Sequence, residues 1–241
     1  MIYGPDVVVF CPICRAPARI HTLISGNSFG LILWSDGYER TPMMDTPPSL
    51  VSCGACGKVH WLRGAIEGEP LPGRDEPHSD DQRVWAHAPY IAEAKAAEIV
   101  TALAEGFAAD PEEEFDARRL AWWDENHAER SRQEIERYSE RLPLEDPRRN
   151  RHPGPPAALS EVMAHNLERL LELLHGHDDD EEHLLKAEIL RALGRYDEAF
   201  VELRFAFFTE GTAEASFRQQ IESHCEKNNP GVFRVEFSEQ R

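Results

Sequence analysis

Two cysteine pairs near the N-terminus carry the clearest chemistry in this sequence. The first is Cys11-Pro12-Ile13-Cys14 and the second is Cys53-Gly54-Ala55-Cys56. A two-residue gap lets both thiolates of one turn reach the same cation, and Zn²⁺ accepts four such ligands in a tetrahedron. Gly57 follows the second pair, where a residue that tolerates positive φ suits a tight turn. The spacing therefore predicts one closed metal site, formed by Cys11, Cys14, Cys53 and Cys56.

Three other uses of the cysteine pairs stay open on the sequence alone. Disulfides are disfavoured because no signal peptide precedes Cys11, so we expect a reducing compartment. A redox pair would need a βαβ setting, and neither pair opens a visible helix. A rubredoxin-type iron site uses the same four thiolates, so we expect structural Zn²⁺ without excluding iron. His21 and His60 lie near the pairs, but four cysteines already fill the coordination shell.

The residues around the pairs have the pattern of short strands. Val7–Phe10 and Leu50–Ser52 lead into the two cysteine turns, and Val59–Leu62 leaves the second. Two such turns on short strands make a zinc ribbon, which we predict over residues 1–66. The 38 residues between the pairs, 15–52, exceed the spacing of a compact site, so an inserted hairpin is expected. Asp36-Gly37 marks its turn, where both residues tolerate positive φ.

The middle of the chain alternates linkers and helices. Residues 67–83 are rich in glycine and proline and predict a linker, and a helical region follows over 84–142. Its first helix has apolar residues from Ala92 to Phe107, and a second begins at an Asp110 cap and extends to about Arg141. The charged stretch 124–136 predicts either solvation on most sides or a turn near Asn126. A second linker, 143–158, contains the basic stretch 148–151, which we expect to be a solvated loop.

A second helical domain is predicted over 159–228. Ser160 suits the cap of its first helix, and a final helix is expected over 212–227. Between them, Gly194-Arg195-Tyr196-Asp197-Glu198-Ala199 resembles the inter-helix turn of the tetratricopeptide repeat (TPR) over about one unit, 180–213. One unit cannot bury its own face, so the neighbouring helices must complete it. The tail, 229–241, alternates like a strand and is expected to join an edge of the ribbon.

The whole chain resembles bacterial proteins of unassigned role that combine an N-terminal Cys₄ zinc ribbon with C-terminal TPR-like helices. The resemblance rests on the cysteine pairs and on the turn that begins at Gly194. It implies an α+β fold, with a small β-rich ribbon that has an inserted hairpin, followed by an α-helical, TPR-like helix-hairpin domain. It also implies protein–protein interaction, and it carries over no catalytic residue.

Charge limits the classes of partner. The chain has 44 acidic and 26 basic residues, a formal net charge of −18. Phosphate binding needs clustered Lys and Arg, and residues 1–70 hold only five basic residues against six acidic ones. No run approaches the 18 apolar residues of a membrane span, so we expect a cytoplasmic protein without a membrane partner. The segment His175–His183 is rich in histidine and acid, which a divalent metal could bind. We expect instead that Gly176 ends one helix and that the acids lie at the positive end of the next.

Motifs of catalysis are missing from the sequence. It has no glycine-rich phosphate loop, no Gly-x-Ser-x-Gly elbow and no His-Glu-x-x-His. Cys225 is left over from the pairs and is predicted to be an inert thiol. The prediction is therefore a non-enzymatic, zinc-binding interaction or scaffold protein, whose helical domain binds a protein or peptide. The alternative is a nucleic-acid-associated regulator that acts through the ribbon.

Overall fold

The computed structural model of the chain describes residues 1–72, 79–143, 146, 158–176 and 179–237. Strands and helices are both present, so the α+β prediction is confirmed at that level. The chain divides into an N-terminal unit, Met1–Leu31 with Arg40–Ala117, and a C-terminal unit, Ile32–Glu39 with Arg118–Arg241. The predicted basic stretch 148–151 lies outside the described residues, as do positions 177 and 178.

The strands are short, and those of the N-terminal unit pair antiparallel. They are β1 Ile2–Tyr3, β2 Val7–Phe10, β3 Pro17–Ile20, β4 Leu23–Ser25, β5 Ile32–Leu33, β6 Glu39–Arg40, β7 Leu50–Ser52, β8 Val59–Trp61, β9 Ile66–Pro70 and β10 Ala92–Glu93. In the N-terminal unit they form the sheets β3-β2-β9 and β10-β7-β8 and the ribbon β1-β4. Each three-stranded sheet is thus a hairpin, closed around a cysteine turn, with one additional strand on its first strand.

The helices are α1 Asp80–Trp85, α2 Ala96–Ala104, α3 Pro111–Glu125, α4 His127–Arg141, α5 Glu161–Leu173, α6 Asp180–Ala192, α7 Tyr196–Leu203 and α8 Ala213–Glu226. Two of them, α3 and α5, begin at the capping residues that the sequence indicated, Asp110 and Ser160. The Ser160 hydroxyl accepts a hydrogen bond from the amide of Met163, and Asp110 likewise accepts from Glu113. In the part of the chain that the structure describes, no helix is both long and apolar enough to cross a membrane.

Two sequence predictions in the middle of the chain were wrong. Residues 67–70 were assigned to a linker, but they belong to β9, whose partner β2 lies far upstream in the sequence. Ala92 was placed in a helix, but it pairs with Ser52 as part of β10. Both segments are too short to show a period of their own, so their long-range strand partners decide their conformation. The predicted linker 67–83 was also wrong at its end, because α1 begins at Asp80 with Ser79 as its cap.

The helical region breaks at Asn126, which separates α3 from α4. This is the second of the two alternatives that the charged stretch 124–136 left open. The other, solvation on most sides, was wrong at two positions. Glu129 and Arg130 are buried, at 9% and 5% exposure, because each has an ion-pair partner within the C-terminal unit.

The core of the C-terminal unit lies between α6, α7 and α8. It contains Leu184, Ala187, Leu190, Ala199, Leu203, Ala206, Ile221, Cys225, Phe233 and Val235. Helices α6 and α7 form a helical hairpin around Gly194, whose φ of 75° only a residue without a Cβ adopts at low cost. Cys225 is 2% exposed, as expected of an inert thiol. The buried apolar side chains of these helices and of the tail therefore hold this unit together.

The predicted hairpin after the first cysteine pair is present, but its residues Ile32–Glu39 belong to the C-terminal unit. Strands β5 and β6 flank a turn in which Gly37 has φ 78°. Asp36 does not share the positive φ, because the turn is a three-residue loop with Gly37 alone in the left-handed region. Trp34, before the turn, is 1% exposed.

The C-terminal tail pairs with this same hairpin. Val235 donates its amide hydrogen to the carbonyl of Leu33, and Trp34 and Arg234 form an antiparallel bridge. The sequence placed the tail on an edge of the predicted ribbon, whereas the strand that it joins lies in the C-terminal unit. The inserted hairpin thereby provides hydrogen-bond partners for the backbone amide and carbonyl groups of the tail.

Candidate metal centre

The sulfur atoms of Cys11, Cys14, Cys53 and Cys56 all lie within 4.8 Å of one another. Two of the sulfur–sulfur distances are 3.6 Å, between Cys14 and Cys53, and 3.9 Å, between Cys11 and Cys56. A tetrahedral ion with metal–sulfur bonds of about 2.3 Å separates its sulfurs by about 3.8 Å. The four side chains that the sequence predicted are therefore brought together at metal-binding distance.

The two cysteine turns have the same backbone design. In the first, Cys11 donates its amide hydrogen to Ala16 O and accepts at its own carbonyl from the Arg15 amide. In the second, Cys53 donates to Lys58 O and accepts from the Gly57 amide. Arg15 and Gly57, each directly after the last cysteine, have φ values of 63° and 69°. Only the second of these positions has the glycine from which sequence reasoning could infer a left-handed residue.

Each turn closes the hairpin of a different sheet. Phe10 pairs with Pro17 at the first turn, and Ser52 pairs with Val59 at the second. A metal ion on four sulfurs would thus cross-link the sheet β3-β2-β9 to the sheet β10-β7-β8. In each turn the first cysteine is buried and the second exposed, so solvent reaches one side of the sulfur cluster.

Four thiols at this distance cannot all ionise without a cation. Burial acts to raise the pKa of Cys53, but the backbone N–H groups of Cys56 and Ala55 stabilise its thiolate and lower the pKa to about 7. At Cys14 the N–H of Ala16 acts to lower the pKa, but desolvation and the three other cysteines raise it to about 12. Without a cation, the surroundings therefore favour the thiolate of Cys53 and oppose that of Cys14. A divalent cation would stabilise all four thiolates together.

The geometry also bears on the other uses of these cysteines. The sulfurs stand 3.6 and 3.9 Å apart, whereas a disulfide bond is about 2.05 Å long. Both pairs lie in turns between antiparallel strands, away from the helix N-terminus that activates a redox cysteine. His21 hydrogen-bonds Asp6 and His60 contacts the Trp61 carbonyl, so both histidines have other partners.

The described residues of the histidine-rich segment, 175–176 and 179–183, have partners other than a metal ion or form part of a helix. Among the described residues, the four cysteines are the only cluster of three or more His, Cys, Asp or Glu ligands at metal-binding distance. His183 makes a hydrogen bond of 2.7 Å to Glu202, and Asp179 caps α6 through the amide of Glu182. The segment therefore begins a helix, as the sequence favoured, with acids at its positive end.

The left-handed conformation at Gly57 gives a direct test of the turn geometry. An added Cβ would meet no atom within 4 Å at either Gly54 or Gly57, but only Gly57 has positive φ. We expect Gly57→Ala to lower the free energy of unfolding of the metal-loaded protein by about 1 kcal/mol, because an L-residue is strained there.

Gly54→Ala is the matched control, since it adds the same methyl group in the same turn. We expect it to leave stability unchanged or slightly increased, because it only restricts the unfolded chain. Urea unfolding of both variants measures the difference. Equal effects at the two glycines would contradict a left-handed residue at position 57.

Comparison with models of protein families, with curated proteins and with solved structures found no match to the chain.

Proposed function

We propose that this is a non-enzymatic interaction or scaffold protein, in which a structural zinc ion stabilises an N-terminal zinc ribbon and TPR-like helices bind a protein or peptide partner. The convergence of four cysteine sulfurs within 4.8 Å is the observation that carries the metal-binding half of the proposal. Four thiolates with no open position for water suit a structural ion, and zinc is the common ion for such a closed set. Iron, with the same ligands, is the outcome that metal analysis must separate.

The size of the N-terminal core supports a structural role for the ion. Its buried apolar side chains are mostly small, with Val8, Val9, Leu50, Val51 and Ile99 among the largest. Among the residues that the structure describes, most of the largest fully buried side chains lie in the C-terminal unit, and Trp34 and Trp122 are the two largest. A unit with little apolar interior depends on cross-links, and a metal ion supplies four bonds at once.

Helices α6 and α7 support the interaction half. They pack as a hairpin around the Gly194 turn, and Tyr196 contacts the core below it. Flanking helices complete the apolar face that one hairpin cannot bury alone, as in a helical repeat. Such repeats present rigid surfaces to partner proteins, and this unit exposes several large apolar side chains, Val201, Phe205 and Phe207 among them.

The basic side chains of the N-terminal unit weigh against the nucleic-acid alternative. Arg19 lies 3.6 Å from Asp6, Lys58 lies 2.8 Å from Glu105, and Arg63 lies 2.6 Å from Glu113. A cation that is already paired with an acid gains less from a phosphate than a free one, so these three side chains are poorly suited to phosphate binding.

Two measurements on the full chain test the proposal. Elemental analysis of purified protein should give one zinc ion per chain, and iron or no metal would overturn the zinc assignment. Affinity capture, followed by quantitative mass spectrometry, should find a protein that is lost with at least one charge reversal on the helices, Glu172→Lys on α5 or Glu181→Lys on α6, but retained with Glu93→Lys on β10 as the control. Salt-sensitive binding to DNA or RNA in place of a protein would favour the alternative.

A further inference from the structure

Three large apolar side chains project from the end of α7 and the segment that follows it. Val201, Phe205 and Phe207 are 48%, 53% and 73% exposed. The backbone beneath them is fixed, because Leu203 and Ala206 are buried in the core at 1% and 3% exposure. Large apolar residues exposed within a short stretch of fixed backbone mark an interaction site more often than isolated ones do.

The polar groups around these side chains hold them in place. The His183 ring stacks on Phe205 with ring centroids 5.4 Å apart, and its Nδ1 atom lies 2.7 Å from a Glu202 carboxylate oxygen. The amide of Phe207 donates a hydrogen bond of 2.9 Å to the Asp180 carboxylate. We call Val201, Phe205 and Phe207, with these three polar neighbours, the Phe205 surface.

A shallow depression continues the Phe205 surface on one side. It has a volume of about 490 Å³ and is lined by Phe207, Phe208, Glu210 and Arg218, among others. The Nε atom of Arg218 donates to the carbonyl of Leu203, so part of this cation is engaged with the backbone. The depression gives an apolar side chain of a partner a place to be buried beside Phe207.

The charge around the Phe205 surface selects the kind of partner. Residues 179–183 and 201–210 contain six acids and one arginine, Arg204. The acids are Asp179, Asp180, Glu181, Glu182, Glu202 and Glu210. The depressions beside Phe207 and Val201 add Arg218, Lys186, Arg195 and Glu198, so acids still outnumber basic residues by seven to four. A second copy of this chain would set like charges against each other, as would an anionic lipid surface, whereas lysines or arginines beside apolar residues would complement the site.

We infer that the Phe205 surface binds a basic amphipathic segment of a partner protein, with large apolar side chains on Phe205 and Phe207 and lysine or arginine against the surrounding acids. This inference rests on the proposed interaction function and names the chemistry of its partner. Apolar burial would supply most of the affinity, while the charges would set specificity and the rate of association.

A synthetic peptide tests the inference with the whole 241-residue chain, loaded with zinc. The probe is a labelled peptide of about four helical turns, with leucines at helical spacing and lysines elsewhere, and its binding is followed by fluorescence anisotropy. We expect saturable binding that weakens with salt. A peptide with the same lysines but serine in place of every leucine should bind at least about tenfold more weakly.

Variants of the chain locate the binding. Phe205→Ser with Phe207→Ser should weaken binding of the leucine peptide about tenfold or more, because both side chains are exposed and available to a partner. Glu181→Gln with Glu210→Gln should weaken it about threefold. Glu140→Gln with Glu226→Gln removes the same charge from the last turns of α4 and α8 and should have no effect. Circular dichroism verifies the fold of each variant.

Three results would overturn the inference. Equal binding by wild type and the double phenylalanine variant would show that the Phe205 surface is not used, and equal losses in both glutamine variants would show unspecific charge attraction. A wild-type dimer that becomes a monomer on loss of the two phenylalanines would make a second copy the occupant.

Affinity capture with the double phenylalanine variant separates this inference from the proposed function. If the variant still captures the partner of the wild type, the interaction function stands and the Phe205 surface is not its site. If neither the wild type nor the variant captures a partner, both proposals are contradicted.

Discussion

Removal of a metal ion from the four-cysteine site is expected to unfold the N-terminal unit and to leave the helices α5, α6 and α8 folded. Structural zinc contributes about 10–16 kcal/mol of apparent binding free energy in small zinc domains, and a whole domain is stable by only about 5–15 kcal/mol. The sheets β3-β2-β9 and β10-β7-β8 would lose their common cross-link. The core of the C-terminal unit, by contrast, consists of residues from that unit alone.

Hydrogen exchange read by mass spectrometry measures this difference segment by segment. After chelation, the amides of β2, β3, β7 and β8 should exchange at least about a hundredfold faster, while those of α6 and α8 stay protected. Cys14→Ser should reproduce the result without a chelator, since serine is a poor zinc ligand. Ile13→Ser is the control, because it changes a 58% exposed residue in the same turn. Full protection of both sheets in metal-free protein would contradict a structural role for the ion.

The cysteine site could be predicted because its signal is local. Two pairs at the same spacing specify two turns with two thiols each. Because a tetrahedral ion needs four ligands, the two turns are expected to meet at one site. The left-handed conformation of Arg15 could not be predicted, because arginine at that position gives no sign of positive φ. It emerges only when the hydrogen bonds of the first turn are compared with those of the second, where Gly57 takes the same place.

The unit in which the inserted hairpin packs also could not be predicted from the sequence. Its turn follows from Asp36-Gly37, but nothing local indicates that Trp34 packs in the C-terminal unit or that the tail pairs beside it. Likewise, the charged stretch 124–136 resembles a solvated helix until the ion-pair partner of Arg130 is known. Periodicity reports which face of an element is apolar and says little about which distant segment covers it.

The partner of Arg130 is Asp36, a carboxylate with no exposed side-chain surface at the turn of the hairpin. Its oxygens accept hydrogen bonds from Arg130 at 2.5 Å, from the Asn126 side chain at 2.8 Å and from the Tyr38 amide at 3.1 Å. The Arg130 guanidinium also lies 4.0 Å from the centre of the Tyr38 ring. Burial raises the pKa of Asp36, while Arg130 and Asn126 oppose that shift, so desolvation offsets much of the attraction.

This balance predicts a large penalty for breaking the pair and a small one for replacing it. Asp36→Ala should lower the free energy of unfolding of the C-terminal unit by about 3–5 kcal/mol, because Arg130 would keep a buried charge without its partner. Asp36→Ala combined with Arg130→Met should recover most of that loss, since the second change removes the unpaired charge. The sequence contains a matched control in Arg169 and Glu172, an exposed pair at 2.8 Å, where Glu172→Ala should cost less than about 0.5 kcal/mol.

Urea unfolding of the single and double variants, followed by the circular dichroism of the helices, provides the double-mutant cycle. The coupling energy between Asp36 and Arg130 should exceed about 2 kcal/mol, the range of residues that share a buried network. A cost below about 1 kcal/mol for Asp36→Ala would mean that the hairpin is not anchored in the C-terminal unit. A large cost for Asp36→Ala that Arg130→Met does not relieve would assign the loss to the turn itself, because the alanine substitution also removes the acceptor of the Tyr38 amide.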